Sequence, residues 1–302
     1  MLVQRCRVED NHFSPGFVTE NAMLLSTQAN RYAHQLLAAR LNAQPLPPFS
    51  VEHPMSVDDA YNIAHCLLQI RTAQGETMVG RKIGFGRRQF WPQASEADGS
   101  DTPYWAPLYD DTVRHTEENR GVQSLQGAVS PRLEPSIVFK LGGQPRPDVT
   151  LEEIADCIEW MAHGIEIVDC LFPDWNFQET DAVAAFGLHG TLIVGEAKVL
   201  SAATRGNLAN VLAQSTVSVS RNEGEEFSLC GAGLGSDVMG SPVHALLRLH
   251  QLLQTQPQFR PLGAGEIIAT GAWTNAFPVK PGQTWTTAFS GISLPGLTLS
   301  FV

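Results

Sequence analysis

The chain has 302 residues, 43% of them hydrophobic and 17% charged, with a formal net charge of −11. That length buries a large core in one or two domains, and the composition is that of a globular enzyme. The acidic balance, with Lys and Arg scattered singly or in pairs, excludes broad binding to nucleic acid or anionic membrane, both of which need basic patches. Apolar runs stop well short of the roughly 18 residues that span a bilayer. The N-terminus sets Arg5 and Arg7 against Glu9, Asp10 and Glu20 without an apolar core, which argues against a secretory or transit segment. Cys6, Cys66, Cys157, Cys170 and Cys230 are odd in number and form no C-x-x-C, so they read as reduced thiols of a cytosolic protein.

In chain order, residues 1 to about 23 read as a loose lead-in. From Ser26 to about Ala43, the spacing of Ala29, Tyr32, Ala33, Leu36 and Leu37 predicts a helix, ended by Pro45-Leu46-Pro47-Pro48. A second helix starts at Ser56, whose hydroxyl caps the amide of Asp59, and runs to a stop at Gly75. Met78 to Ile83 reads as a strand entering a Gly84-Phe85-Gly86 turn, and the polar residues 91–103 as a mobile loop. Thr150-Leu151-Glu152-Glu153 is a capping box that opens a helix to about Ala162, with Ile154, Cys157, Ile158 and Met161 on one face.

The second half is strand-rich. Gly190 to Gly195, Val217 to Arg221, Gly265 to Thr270, Trp285 to Phe289 and Leu297 to Val302 alternate or run apolar between Gly and Pro turns. One helix interrupts them, with Ser241 as cap, Pro242 at its first position and Leu246, Leu249, Leu252 and Leu253 as its stripe. Early helices followed by many strands predict an α+β fold with a largely β core. The expected division is 1–110, a lead-in and helical region, and 111–302, a β-rich catalytic core, in one compact unit.

Two carboxylates stand out in this frame. Along Pro131 to Leu141, strand alternation puts Pro135, Ile137, Phe139 and Leu141 on a core face and Glu134, Ser136, Val138 and Lys140 on the other. Residues two apart on one face lie roughly 6.5–7 Å apart, close enough for side chains to converge on one ion. Glu166 lies in a similar apolar run, Ile165-Glu166-Ile167-Val168. An acidic residue facing an interior needs a metal or a cation, and paired oxygen ligands suit a hard ion of the Mg or Mn type.

The same segments resemble the 2-keto-4-pentenoate hydratase and 4-oxalocrotonate decarboxylase family of the fumarylacetoacetate hydrolase superfamily. The family writes its metal strand as Glu-x-Glu, with a third carboxylate about thirty residues later. Here the first is Glu134 and the late one Glu166, while Ser136 holds the middle position. Gly80-Arg81-Lys82-Ile83-Gly84-Phe85 resembles the lysine loop, and Trp105 to Asp111 the segment after it. His163 to Val168, Asp174-Trp175, Asp181 to Gly190, Gly240-Ser241-Pro242, Ala264 to Ile268 and Thr270-Gly271 continue the match to the C-terminus.

The resemblance implies a mixed β-roll with a helical N-terminal region packed on it. It also implies a lyase that uses Mg or Mn held by Glu134, Glu166 and Ser136. Lys82 and Asp111 are its implied catalytic residues, with Gly84, Trp175, Thr270 and Gly271 toward substrate. The implied reaction is hydration of a short 2-hydroxy-2,4-dienoate, with decarboxylation of a vinylogous keto acid as the alternative. A homo-oligomer or a partnered complex is implied as well.

Several readings stay open on the residues alone. Ser136 is a helper ligand, a water-positioning group or the mark of a lost metal site. A lost site would suit a metal-poor isomerase, cyclase or carbon–carbon hydrolase, or a non-catalytic partner subunit. Without the resemblance, Lys82 reads as a surface lysine at a strand end and Glu134 as a partner of Arg132. His163 is either a satisfied core histidine or, three residues before Glu166, a proton-transfer or orienting group. Trp175 reads most simply as packing. Gly231-Ala232-Gly233-Leu234-Gly235 lacks the strand–turn–helix context of a phosphate cradle and reads as a flexible loop or turn. No G-x-S-x-G elbow or H-E-x-x-H zinc motif occurs.

Overall fold

The structure, a computed structural model, describes residues 16–84 and 103–302, with side chains from residue 26 onward. The helices are α1 (Gly16–Leu41), α2 (Phe49–Glu52), α3 (Val57–Ala73), α4 (Leu151–Asp156), α5 (Glu179–Ala184), α6 (Ala202–Arg205), α7 (Leu208–Gln214) and α8 (Pro242–Gln254). The strands are β1 (Met78–Gly84), β2 (Tyr104–Tyr109), β3 (Val113–His115), β4 (Arg120–Gln123), β5 (Pro131–Leu141), β6 (Ile158–Asp169) and β7 (His189–Val194). They continue with β8 (Lys198–Val199), β9 (Thr216–Glu223), β10 (Glu226–Leu234), β11 (Ile267–Ala272), β12 (Phe277–Pro278), β13 (Thr284–Ser290) and β14 (Thr298–Phe301).

Helix α1 begins at Gly16, upstream of the expected start at Ser26, and buries Ala29, Tyr32, Ala33 and Leu36 as the spacing predicts. At α3 the Ser56 hydroxyl accepts from the Asp59 amide while the Asp59 carboxylate accepts from the Ser56 amide. Gly75, at φ +95°, lets the chain leave that helix. The Thr150 capping box also forms, but α4 stops at Asp156 instead of continuing to Ala162. Six residues make a marginal helix. The following segment holds Ile158, Trp160, Ile165, Ile167 and Val168, residues that fit a pleated, half-buried surface, and it pairs with β5 along nearly its whole length. Strand pairing wins.

Among the described residues, nine strands form one curled sheet in the order β2-β1-β11-β5-β6-β7-β3, with β12 added on β5 and β8 on β6. Five more form a second sheet, β10-β9-β13-β14-β4. Most pairs are antiparallel; β1–β11, β3–β7 and β14–β4 are parallel. The alternation read along β5 holds. Ile137, Phe139 and Leu141 join the helical core with Leu36, Leu67 and Leu246. Leu133, Ile165 and Ile167 meet Val219, Trp285 and Leu299 of the second sheet. The opposite face carries Val138, Ala162, Leu192, Val194 and Ala269, and it is this face that bears the two carboxylates.

The glycine-rich run 231–235 is not a flexible loop. Gly231 to Leu234 belong to β10 and pair with β9. A Cβ on Gly233 would lie 1.7 Å from the Trp273 carbonyl oxygen, and one on Gly231 would lie 2.8 Å from the Phe277 ring. Glycine is what lets this edge strand lie against the segment that follows β11. Among the described residues no helix is long and apolar enough to cross a membrane.

Candidate active site

The site is assembled on the curled inner face of the large sheet. Strand β1 runs between β2 and β11. A Cβ on Gly80 would fall 1.9 Å from the Ile267 carbonyl oxygen, so glycine permits the β1–β11 pairing. Lys82 pairs with Ala106 on one side and Ala269 on the other, and these small neighbours leave room for its stem. Arg81 points to the opposite face, where it pairs with Glu266 and donates to the Arg260 carbonyl at 2.6 Å. Alternation thus separates two buried cations, one for structure and one for the site.

Glu134 of β5 stands directly opposite Glu166 of β6, and Ser136 directly opposite Gly164. Directly opposed residues on an antiparallel pair have Cβ atoms about 4.5–5.5 Å apart, so the two carboxylates share one patch of surface. Lys82 Nζ lies 2.8 Å from Glu166 Oε1, with both residues only 2% exposed. The same oxygen takes His189 Nδ1 at 2.8 Å, and His189 Nε2 lies 3.0 Å from Thr112 Oγ1. Burial would raise the Glu166 carboxyl, but the Lys82 ammonium and His189 outweigh it and hold the group below its usual range. Burial lowers His189, which keeps the imidazole neutral near pH 7. Glu166 is therefore a buried carboxylate fixed by one ammonium and one imidazole N–H.

Between α5 and β7, Phe186, Gly187 and Leu188 adopt φ of +58°, +59° and +58°, a left-handed turn of three residues. Such a conformation costs a non-glycine residue on the order of 1–3 kcal/mol and persists where surrounding contacts impose it. Here the turn delivers His189 to Glu166, and Arg40 donates to the His189 carbonyl. Its Gly187 lies against the inner face: a Cβ there would meet Ala106 Cβ at 2.7 Å, Tyr104 Cε2 at 3.1 Å and Lys82 Cδ at 3.7 Å.

His189 and Tyr104 were not singled out by the sequence. The histidines show no pair at ligand spacing on one helix face, and a histidine that follows a left-handed turn carries no such signal. Tyr104 gains its meaning only from facing Gly84 across β1 and β2.

Other sequence candidates are distributed differently. His163 is buried on the opposite face from Glu166, with Nδ1 3.2 Å from the Ser136 carbonyl and Nε2 2.8 Å from Thr287 Oγ1. Its ring packs edge-on against Phe289, which places it between the two sheets. Asp111 is exposed in the turn after β2 and lies 3.6 Å from Arg71. Trp175 donates to Ser130 Oγ at 2.8 Å and stacks under Arg132, away from Lys82's neighbours. Arg132 stacks on Trp175 and also lies in the field of Glu134, which stands opposite Glu166.

Thr270 Oγ1 donates to the Ile137 carbonyl at 2.8 Å, and Gly271 occupies a β11 bulge at φ +103° beside the Ile83 carbonyl. Both brace β1 against β5. Phe85, Gly86 and residues 91–102 of the expected loop lie outside the described residues.

The donor set can be tested against a hard cation. Two opposed carboxylates and the Ser136 hydroxyl share one face, and Mg²⁺ is commonly held by one or two carboxylates together with substrate oxygens and water. Among the described residues no group of three or more His, Cys, Asp or Glu is arranged to hold a metal ion by itself. The chemistry fits a two-carboxylate cation site in which Lys82 and His189 already occupy one oxygen of Glu166.

No protein-family model matches the chain. It is 30% identical over 270 residues to a 2-hydroxyhexa-2,4-dienoate hydratase of Comamonas testosteroni, covering 89% of this chain and 94% of that one. A 2-keto-4-pentenoate hydratase of Paraburkholderia xenovorans is 29% identical, with 88% and 92% covered. Among solved structures, the 4-oxalocrotonate decarboxylase of Pseudomonas putida G7, complexed with magnesium and adipate, superposes with a TM-score of 0.78 at 23% identity. That match covers 91% of this chain and 98% of the other. The fold is shared.

Proposed function

Because the chain belongs to the 2-keto-4-pentenoate hydratase and 4-oxalocrotonate decarboxylase family of the fumarylacetoacetate hydrolase superfamily, we propose that it is a cation-assisted lyase that adds water to a short 2-hydroxy-2,4-dienoate. The observation that carries this reading is the buried Lys82–Glu166 pair set opposite the half-buried Glu134 on one face of the sheet. The two opposed carboxylates by themselves give this face a repulsion toward an anionic acid. A divalent cation reverses it, and Glu134, Glu166 and Ser136 are the residues that would hold one. When bound, such an ion supplies Lewis-acid polarisation of the substrate oxygens.

The chain's own groups then have separable tasks. Glu166 keeps Lys82 in place, and Lys82 Nζ donates hydrogen bonds where charge develops on the 2-oxygen. His189 holds Glu166 by its Nδ1–H, which fixes the carboxylate without taking its proton. Removal of water from this buried face strengthens each of these interactions.

Decarboxylation is the second reading, favoured by relatives named 4-oxalocrotonate decarboxylase. An assay of the purified protein with Mg²⁺ or Mn²⁺ separates the two. Hydration consumes 2-hydroxypenta-2,4-dienoate with uptake of water and no CO₂; decarboxylation releases CO₂ from 4-oxalocrotonate. The first outcome is expected. Inertness toward both substrates with either ion present overturns the lyase reading.

A further inference from the structure

The side chain of Tyr104, at the start of β2, lies on the Lys82 face: Tyr104 pairs with Gly84 and Ala106 with Lys82. It is 4% exposed. A Cβ on Gly84 would lie 2.0 Å from Tyr104 Cζ and 2.4 Å from its hydroxyl oxygen, so the phenol fills the space that glycine leaves. From the other side, Gly187 backs both the Tyr104 ring and the Lys82 stem, and the Tyr104 hydroxyl donates to the Gly187 carbonyl at 3.3 Å. One left-handed turn therefore holds the phenol and the lysine side by side. Burial first, then the charges of Glu134 and Glu166, hold the phenol well above its ordinary range, so its proton stays on.

We propose that Tyr104 is a further substrate-binding donor: its hydroxyl, beside Lys82 on the face of Glu134 and Glu166, hydrogen-bonds the oxygen on which negative charge gathers in a bound 2-keto or 2-hydroxydienoate acid. The proposal deepens the lyase reading and rests on it for the identity of that oxygen. The role is donation, with the O–H bond intact throughout and no proton transferred. A charged oxygen offers a phenol O–H a shorter and stronger hydrogen bond than a backbone carbonyl does. Lys82 and Tyr104 together would form a two-donor cradle, one charged and one neutral.

Tyr104→Phe keeps the ring against Gly84 and Gly187 and removes only the hydroxyl. With the purified protein in Mg²⁺, the variant is compared with wild type in turnover of 2-hydroxypenta-2,4-dienoate, in calorimetric titration with oxalate, a planar dianion resembling a charged 2-oxygen, and in melting temperature. The expected result is a kcat about 100-fold lower, oxalate binding about tenfold weaker, and a melting temperature within about a degree of wild type. Unchanged kcat and oxalate affinity with a lowered melting temperature would show a packing role and overturn the proposal while leaving the lyase reading standing. If wild type is inert toward the dienoate yet binds oxalate, and the variant binds it more weakly, the donor role stands and the reaction assignment falls. A wild type that neither turns over the dienoate nor binds oxalate overturns both.

Discussion

Lys82 and Glu166 are each 2% exposed and 2.8 Å apart, so neither charge has water to fall back on. Removing one partner of such a pair leaves a buried, uncompensated charge and costs about 3–5 kcal/mol, whereas neutralising both is often tolerated. Lys82→Met keeps the apolar stem but leaves Glu166 with His189 as its remaining described partner. The variant is expected to melt several degrees lower and to lose about 100-fold or more in kcat. Adding Glu166→Gln should restore much of the stability, because the amide oxygen still accepts from His189, and none of the activity. Thermal melts and turnover on the two variants check this. Recovery of both properties in the double variant would make the pair purely structural. Glu134 and Glu166 are legible in the residues because strand alternation is local and a carboxylate among Ile and Val is visible in a single line of text, whereas a lone lysine at a strand end carries no sign of burial and Lys82 is reached only through the family resemblance. His189 and Tyr104 were not reached, because their meaning depends on a left-handed turn and on a neighbour across the sheet.

At the scale of elements, β6 carries both functions of this core. Its even positions, Ala162, Gly164 and Glu166, face the site, while its odd positions, His163, Ile165 and Ile167, face the second sheet or the core beneath. The Thr150 box and the Ile154, Cys157, Ile158 and Met161 spacing read as one helix to Ala162, yet the last five residues of that expectation, 158–162, all lie in β6. Local caps specified where the helix starts, and non-local pairing with β5 decided where it stops.

His163 also gives the sheet-to-sheet contact a pH dependence. Burial pushes its imidazole down to about 4 from an ordinary value of 6.5. A depressed histidine pKa stabilises the fold above the unfolded value and loses that stabilisation as pH falls from about 6.5 toward 4, on the order of 3 kcal/mol in all. Chemical denaturation of wild type across that window should show the loss, and His163→Gln should flatten its slope. An equally steep slope in the variant would assign the acid sensitivity to other groups.

Over the whole molecule, the helical N-terminal region and the β-rich remainder share one hydrophobic cluster, running from Ala29 through Phe139 to Leu294. Any ligand that binds the inner face of the large sheet therefore reports on the stability of the fold around it. A cation that binds only the folded chain adds about 2.7 kcal/mol at a concentration 100 times its Kd, which for a chain of this size is a shift of several degrees. Position 136 is expected to set how large that shift is. The Ser136 hydroxyl donates to the Ile137 carbonyl at 3.1 Å, and the residue stands in register with Gly164 on the face of the two carboxylates. Ser136→Glu places a third carboxylate there. Without metal, the added charge should lower the melting temperature, since like charges a few Å apart in a partly desolvated site repel by several kcal/mol at an effective dielectric of about 20. With Mg²⁺ or Mn²⁺, the same charge should tighten binding and recover the loss, so the variant's melting temperature climbs more steeply with added ion than wild type's. Ser136→Ala should leave the apo melting temperature close to wild type and respond to the ion no more strongly. Activity on the dienoate follows a separate course: a chain tuned to a weakly held cation should be slowed by the third carboxylate, which fills space and repels the substrate anion. Melting curves at a series of Mg²⁺ concentrations decide the matter. Parallel responses in wild type and Ser136→Glu would mean that position 136 does not face the cation, and that the two carboxylates hold whatever the site binds without it.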